Sequence, residues 1–306
     1  MDHLLHFGIN TPADLRDPAL RATYTRDINR LLDRAEGHFQ SAWIIDHLQF
    51  DGIDVLESFT TLSYLAALHP RLQFGHTVIC QSFRNPALLA KMIATLQLLT
   101  GGRYILGIGA GGHEEEHRAY GYDFPSGQVR VDQLEETLQI LRLLWTRNQA
   151  TFEGKYHRIL SASCEPKPDR LPPIMIGAFR PKMLQLTARY ADCWNASSTG
   201  IAIFCRMSAA LYRYCAEIGR DPSTLRRTWG GGFFCAATED KALALAKGRY
   251  DPGSADEFDF LGTPDQVIAQ MQPFIEAGVD TLILDPGGFP KFTALVLLIR
   301  EVIPAL

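Results

Sequence analysis

Apolar positions along the chain follow two alternating rhythms. Short buried runs predict strands over residues 4–9, 41–46, 72–79, 104–108, 173–176, 192–196, 228–237 and 281–284. Between them a period near 3.6 predicts helices. Leu20, Tyr24, Ile28, Leu31, Leu32 and Ala35 recur at helical spacing over 18–36, with Pro18 in the first turn and Gly37 at the stop. Further helices are expected over 56–69, 86–100, 131–145, 181–190, 203–218 and 292–302. In the helix over 86–100, Leu88, Leu89, Met92, Ile93, Leu96 and Leu99 are expected to face the core. Thr263-Pro264-Asp265-Gln266 reads as a capping box opening one more helix, ending at Gly278.

Eight strand–helix units without a break in composition predict one α/β domain over residues 1–306. Its form would be a parallel (β/α)8 TIM barrel with an insertion after strand four, the segment 113–171. Strands six and seven carry the weakest pattern. Without either, the same order would make an open doubly wound sheet.

Composition narrows the class. Of 306 residues, 46% are hydrophobic and 21% charged, which excludes disordered, collagen-like and coiled-coil chains. The net charge of −4 argues against a nucleic-acid partner, which calls for a basic face. No apolar run approaches the ~20 residues that span a bilayer, and the N-terminus has no secretory pattern. The six cysteines are scattered without a Cys-x-x-Cys pair, so a reduced, cytoplasmic protein is expected rather than a disulfide or zinc framework.

In a barrel, chemistry gathers on the loops that follow the strands. Four places stand out. His47 follows strand two beside Asp46. Gly107-Ile108-Gly109-Ala110-Gly111-Gly112 has the spacing of a dinucleotide fingerprint but sits in the fourth unit, and reads first as a loop admitting a flat cofactor ring, with a tight turn as the alternative. His113-Glu114-Glu115-Glu116-His117 has the spacing of a two-histidine zinc site, without a recognisable third ligand, and reads first as a solvated, dipole-matched acidic helix start. Gly177-Ala178-Phe179-Arg180-Pro181-Lys182 opens a helix with two cations and suits a phosphate, or a solvated turn. Arg84-Asn85-Pro86 reads as a helix entry with a structural arginine.

Several segments together resemble a family. They are Phe7-Gly8-Ile9, Ser41 through Asp46-His47, Gly75-His76-Thr77-Val78 followed by Phe83-Arg84-Asn85-Pro86, Leu106 through Gly111, Glu116 through Tyr120-Gly121, and Ala188 through Asn195. In order and spacing the chain resembles the bacterial-luciferase-like superfamily of flavin- or deazaflavin-dependent oxidoreductases. The resemblance implies a TIM barrel with a flavin-type ring across the strand ends and its phosphate near the loop after strand five. It also implies a non-proline cis peptide at Thr77-Val78. Asp46-His47-Leu48-Gln49 is similar to the branch that uses coenzyme F420, a deazaflavin, with the histidine near the ring. The chain departs from the family at two places: the phosphate loop reads Gly177-Ala178-Phe179-Arg180 where Gly-Gly is common, and Gly112 stands where sugar-phosphate dehydrogenases carry an acidic glutamate.

The resulting expectation is an oxidoreductase passing a hydride between bound F420 and a small organic substrate, with His47 as the catalytic group. The expected cofactor-binding residues are Asp46, His47, Thr77, Val78, Gly109, Ala110, Gly111, Gly112, Gly177, Ala178, Phe179 and Arg180, with no metal. The alternatives are an FMN-dependent monooxygenase using reduced flavin and oxygen, a zinc hydrolase on His113 and His117, and a cofactor carrier without catalysis. A homodimer is expected. Pocket walls are expected from 113–171 and from 247–260.

Overall fold

The computed structural model describes residues 5–247 and 259–306. Eight parallel strands form the frame: β1 (His6–Asn10), β2 (Ser41–Ile44), β3 (Gln73–His76), β4 (Tyr104–Gly109), β5 (Ile174–Gly177), β6 (Cys193–Ser197), β7 (Arg226–Cys235) and β8 (Thr281–Pro286). Each pairs with the next, β8 returns to β1, and β4–β5 pairing completes the ring, so the sheet is a closed barrel and not an open one. Strands six and seven are both present. Their apolar runs are near-continuous because parallel strands under helices are buried on both faces.

Helices α1 (Tyr24–Ala35), α2 (Ser58–Leu68) and α3 (Pro86–Leu99) follow the first three strands. Between β4 and β5 come α4 (Glu114–Ala119), α5 (Gly127–Thr146) and an antiparallel hairpin, Ala150–Glu153 with Arg158–Ala162. Glu136 of α5 accepts the N–H groups of Lys155, Tyr156 and His157 and so ties down the hairpin turn. Then come α6 (Pro181–Tyr190), α7 (Ile201–Glu217), α8 (Glu239–Ala246), α9 (Pro264–Glu276) and α10 (Thr293–Leu297). The capping box at Thr263 and Gln266 is formed.

Local differences from the sequence pattern have local causes. The helix expected over 18–36 is split: Pro18–Ala22 forms a 3-10 turn and Thr23, at φ −121°, separates it from α1. In α3 the buried face is Leu89, Ala90, Ile93, Ala94, Leu96 and Gln97, while Leu88 and Leu99 are exposed. That helix is apolar nearly all round, so periodicity alone misplaces its inner face. The run expected over 72–79 is interrupted after His76 by a cis peptide between Thr77 and Val78, and Ile79–Cys80 then rejoins β4. Helix α8 had no clear periodic signal. Of the wall expected over 247–260, residues 248–258 lie outside those described.

Inside the barrel, Trp43, Ile105, Met175, Cys193 and Ile283 form a compact layer. The indole of Trp43 lies against Gly8 on one side and Gly75 on the other. A Cβ on Gly8 would come within 2.6 Å of its ring nitrogen, and one on Gly75 within 2.5 Å of its ring carbon. Trp145, Trp194 and Trp229 are also buried.

His76 of β3 is fully buried, and its Nδ1 lies 2.8 Å from the Tyr104 hydroxyl. Burial pushes it down to about 4, partly offset by the charge of Asp46. The unfolded chain binds that proton near the ordinary value of about 6.5. Stability from this residue is therefore complete above pH 6.5 and falls with acid, at about 1.4 kcal/mol per pH unit and about 3 kcal/mol in all, down to the folded value. Denaturant titrations between pH 7 and 4 should show a shallower loss for His76→Gln. Equal pH slopes in the two proteins would remove His76 as the source.

Candidate active site

At the C-terminal end of the barrel, residues from five strand ends converge on one pocket of about 370 Å3. It is lined by His47 after β2, by Thr77, Val78 and Cys80 after β3, by the Gly109–Gly112 turn after β4, by Gly177, Phe179 and Arg180 after β5, and by Asn195 and Ser197 of β6. Of the residues expected from sequence to bind the cofactor, all except Ala178 line it. Ala178 is buried behind the wall, where its carbonyl accepts the Trp194 indole N–H at 2.9 Å. Cys80, Met183, Asn195, Ser197 and Glu116 line the pocket without having been named as ligands. Asn195 and Ser197 sit at a strand end, which is the one signal that marks them.

The glycines form a bare backbone wall. A Cβ on Gly109 would meet Val78 at 2.9 Å, and one on Gly111, at φ +80°, would meet Cys80 Sγ at 2.7 Å. Gly112 faces open space. Val78, packed beside Gly109 and Gly177, adds an apolar surface to this bare strip, against which a ring system can lie. The residues therefore fit a flavin-type ring. The cis peptide at Thr77-Val78 is where the resemblance implies it.

Asp46 is turned differently from expectation. Its carboxylate accepts two bonds from Arg84 at 2.7 and 2.9 Å, one from Ser58 Oγ at 2.6 Å and one from the Cys80 N–H at 3.0 Å. Burial pushes its carboxyl up, but the Arg84 hydrogen bonds and charge outweigh this and hold it below the usual carboxylate value. With its oxygens so committed, Asp46 braces the pocket wall and offers no carboxylate to a ligand. Arg84 is structural, as expected, and Asn85 caps α3 through the Ala87 N–H at 2.9 Å.

His47 has a separate partner, as strand alternation predicts. Its Nδ1 lies 3.0 Å from Glu116 Oε1, and the other Glu116 oxygen accepts the Leu48 N–H at 2.9 Å. Glu116 is 2% exposed. A carboxylate can only accept, so Nδ1 carries the proton, and in the neutral ring Nε2 keeps its lone pair. Phe50, its ring 4.5 Å from the imidazole, and the Tyr120 hydroxyl on the Leu48 carbonyl at 3.1 Å fix the same segment.

The histidine pair of α4 is used otherwise. His117 Nδ1 donates to the His113 carbonyl at 2.7 Å and Nε2 faces the Cys80 thiol at 3.5 Å. Burial pushes that thiol up to about 11. Glu114 pairs with Arg118. His113 is the N-cap of α4, not a residue within it. At the start of α6, Arg180 makes no hydrogen bond or ion pair among the described residues and is exposed, whereas Lys182 is committed to Asp132 of α5. The anion-facing pair expected from sequence is thus one arginine plus the free N–H groups of the first helical turn.

The comparisons agree with this architecture. The chain is 31% identical to an F420-dependent hydroxymycolic acid dehydrogenase of Mycobacterium tuberculosis, over 84% of its own length and 78% of that protein. It is 25% identical to an F420-dependent glucose-6-phosphate dehydrogenase of Amycolatopsis mediterranei, over 92% and 94%. Among solved structures, an F420-dependent secondary alcohol dehydrogenase with an F420-acetone adduct superposes with TM-score 0.84 at 20% identity, covering 99% of this chain and 98% of that one. The oxygenating constituent of 3,6-diketocamphane monooxygenase from Pseudomonas putida, in complex with FMN, superposes with TM-score 0.81 at 21% identity, covering 99% of each chain. Both structures share the fold. The family described as luciferase-like monooxygenase matches residues 5–259, and the chain belongs to that family.

Proposed function

We propose that the protein is an oxidoreductase that binds the deazaflavin F420 in the pocket between β2 and β6 and transfers a hydride to or from a small organic substrate. The observation that carries this reading is the convergence of five strand ends on one slot with a glycine wall, a histidine and an unpaired arginine. The F420-dependent relatives, matched over most of their length, support the choice of cofactor.

When bound, the deazaflavin supplies a ring carbon able to accept or give a hydride. The chain's residues do the rest. The Gly109–Gly112 strip and Val78 hold the ring flat, which fixes donor and acceptor within contact distance. Arg180 and the start of α6 hold the phosphate. His47 Nε2 takes the proton of a substrate hydroxyl, or returns it in the reverse direction. Glu116 fixes the imidazole tautomer that makes this possible. A monooxygenase using reduced FMN is the second reading, favoured only by the shared barrel of the FMN-bound neighbour.

The test is a calorimetric titration of the purified protein with F420 and with FMN. F420 is expected to bind more tightly, and Arg180→Ala to weaken it tenfold or more. That factor follows from a charge-assisted contact of about 1.5–3 kcal/mol. Tight FMN binding with no heat from F420 would move the protein to the monooxygenase reading.

A further inference from the structure

A chamber of about 480 Å3 opens at the opposite end of the barrel, where the strands begin. Each of the eight strands contributes to its wall. His6, Ser41, Gln73, Cys193, Arg226 and Thr281 are the first residues of theirs, and Ile105 and Met175 the second. The wall shares no residue with the cofactor pocket. We propose that this chamber is a second binding site, for a small organic carboxylate with an apolar body. It stands independently of the oxidoreductase reading.

The room comes from the residues at the strand starts. Parallel barrels are filled by layers of bulky side chains. Here Trp43, Ile105, Met175 and Cys193 form the inner end of the chamber, within the compact layer described above. Towards the mouth the wall continues in short side chains, Ser41, Thr228 and Thr281, which leave the axis open. The Trp43 indole is not free to fill that space. Gly8 and Gly75 hold it on two sides, and its N–H donates to Ser41 Oγ at 2.8 Å.

Charge selects the ligand. No aspartate or glutamate lines the chamber, whereas Arg71, Arg226 and His6 do. Arg71 lies 3.7 Å from Glu36. Arg226 makes no ion pair among the described residues. Burial pushes the Cys193 thiol up, and the Arg226 guanidinium beside it pulls part of that back. Two carboxylates stand nearby outside the wall, and both are engaged: Asp192 accepts the Ile174 N–H at 2.8 Å and Asp280 the Arg227 N–H at 2.7 Å. His6 Nδ1 is shut off from solvent without a partner. A buried polar atom left unmet carries a cost that a ligand atom can remove. An arginine fork matches a carboxylate through two parallel hydrogen bonds. The helices reach this end of the barrel by their C-termini, as at Gly37 just beyond α1. Their terminal carbonyls oppose the denser charge of a phosphate dianion. Buried Trp43, Ile105 and Met175 are left to receive the apolar body.

The experiment is a titration followed by ligand-observed saturation-transfer NMR. Cyclohexanecarboxylate, cyclohexanecarboxamide and cyclohexyl phosphate are added one by one to wild type, Arg226→Gln, Thr281→Leu and Arg180→Ala, after thermal melts have shown each folded. Wild type is expected to bind the carboxylate at least fivefold more tightly than the amide or the phosphate ester. Arg226→Gln should weaken the carboxylate at least fivefold and leave the amide within twofold. Thr281→Leu, which places a larger side chain in the chamber, should weaken both. Arg180→Ala should change neither. The Trp43 indole N–H resonance should shift with the carboxylate, which locates the site even if Thr281→Leu fails to fold. No binding of the carboxylate by about 10 mM, or an unmoved Trp43 resonance, would overturn the site. Loss of binding in Arg180→Ala would overturn it too, by placing the carboxylate in the cofactor pocket. Equal affinity for the amide, or tighter binding of the phosphate ester, would overturn the ligand class.

Discussion

His47→Ala is expected to lower the single-turnover rate of the F420-loaded protein about a hundredfold or more, the usual contribution of a positioned acid–base group. The argument is geometric. Glu116 occupies Nδ1 at 3.0 Å, and the Leu48 N–H occupies the other carboxylate oxygen at 2.9 Å, so the ring has one orientation and one lone pair to offer. The His47 side chain is 33% exposed, which leaves Nε2 reachable from the pocket. Cofactor affinity should change little, because Arg180 and the glycine strip stand on other strands. Glu116→Gln should give a smaller loss. Its amide can still accept from one donor, but its NH2 then confronts the other. The ring 15N shifts of His47 would report the change of tautomer in that variant directly. An unchanged single-turnover rate in His47→Ala, with binding intact, would remove His47 from the chemistry.

Asp46→Asn is expected to destabilise the fold by about 3–5 kcal/mol, the range for removing one partner of a buried ion pair. Arg84, with a side chain 9% exposed, would lose the carboxylate that receives both of its terminal nitrogens, though Glu57 would still reach it at 2.8 Å. The new amide would also place a donor against Arg84 or the Cys80 N–H. Because that N–H anchors the pocket-lining segment 77–80, F420 affinity should fall alongside stability. Urea denaturation at neutral pH measures the first effect and the cofactor titration the second. A loss below 1 kcal/mol would mean that Glu57 and water replace Asp46.

The barrel was legible because its strands are continuous apolar runs and several of its helices open on capping side chains, Asn85, Ser126 and Thr263 among them. Pocket-lining residues at a strand end were legible for the same reason: His47, the Gly109–Gly112 turn and Arg180 all sit just after an apolar run. What escaped lies in long-range pairing. Alternation separates Asp46 from His47, but nothing near Asp46 announces that its carboxylate belongs to Arg84, 38 residues on. The true partner of His47 is Glu116, 69 residues away, inside an acidic first turn that reads equally well as a dipole complement. Lys182 was misjudged similarly, since nothing near it announces Asp132. In α3 the failure had another cause: almost every position is apolar, so no periodicity distinguishes Leu89 from Leu88.

The packing of Trp43 between Gly8 and Gly75 bears on how such a barrel can evolve. Either glycine changed to alanine drives a methyl into the indole, and the indole changed to a small residue leaves a hole that neither glycine fills. Each single step is therefore a loss, while a paired step, a smaller residue at 43 with alanine at 8 or 75, restores the volume. The three positions are locked as a unit across three adjacent strands. Descendants of this sequence should keep all three or exchange them together, so their joint variation across relatives records the packing of the barrel interior.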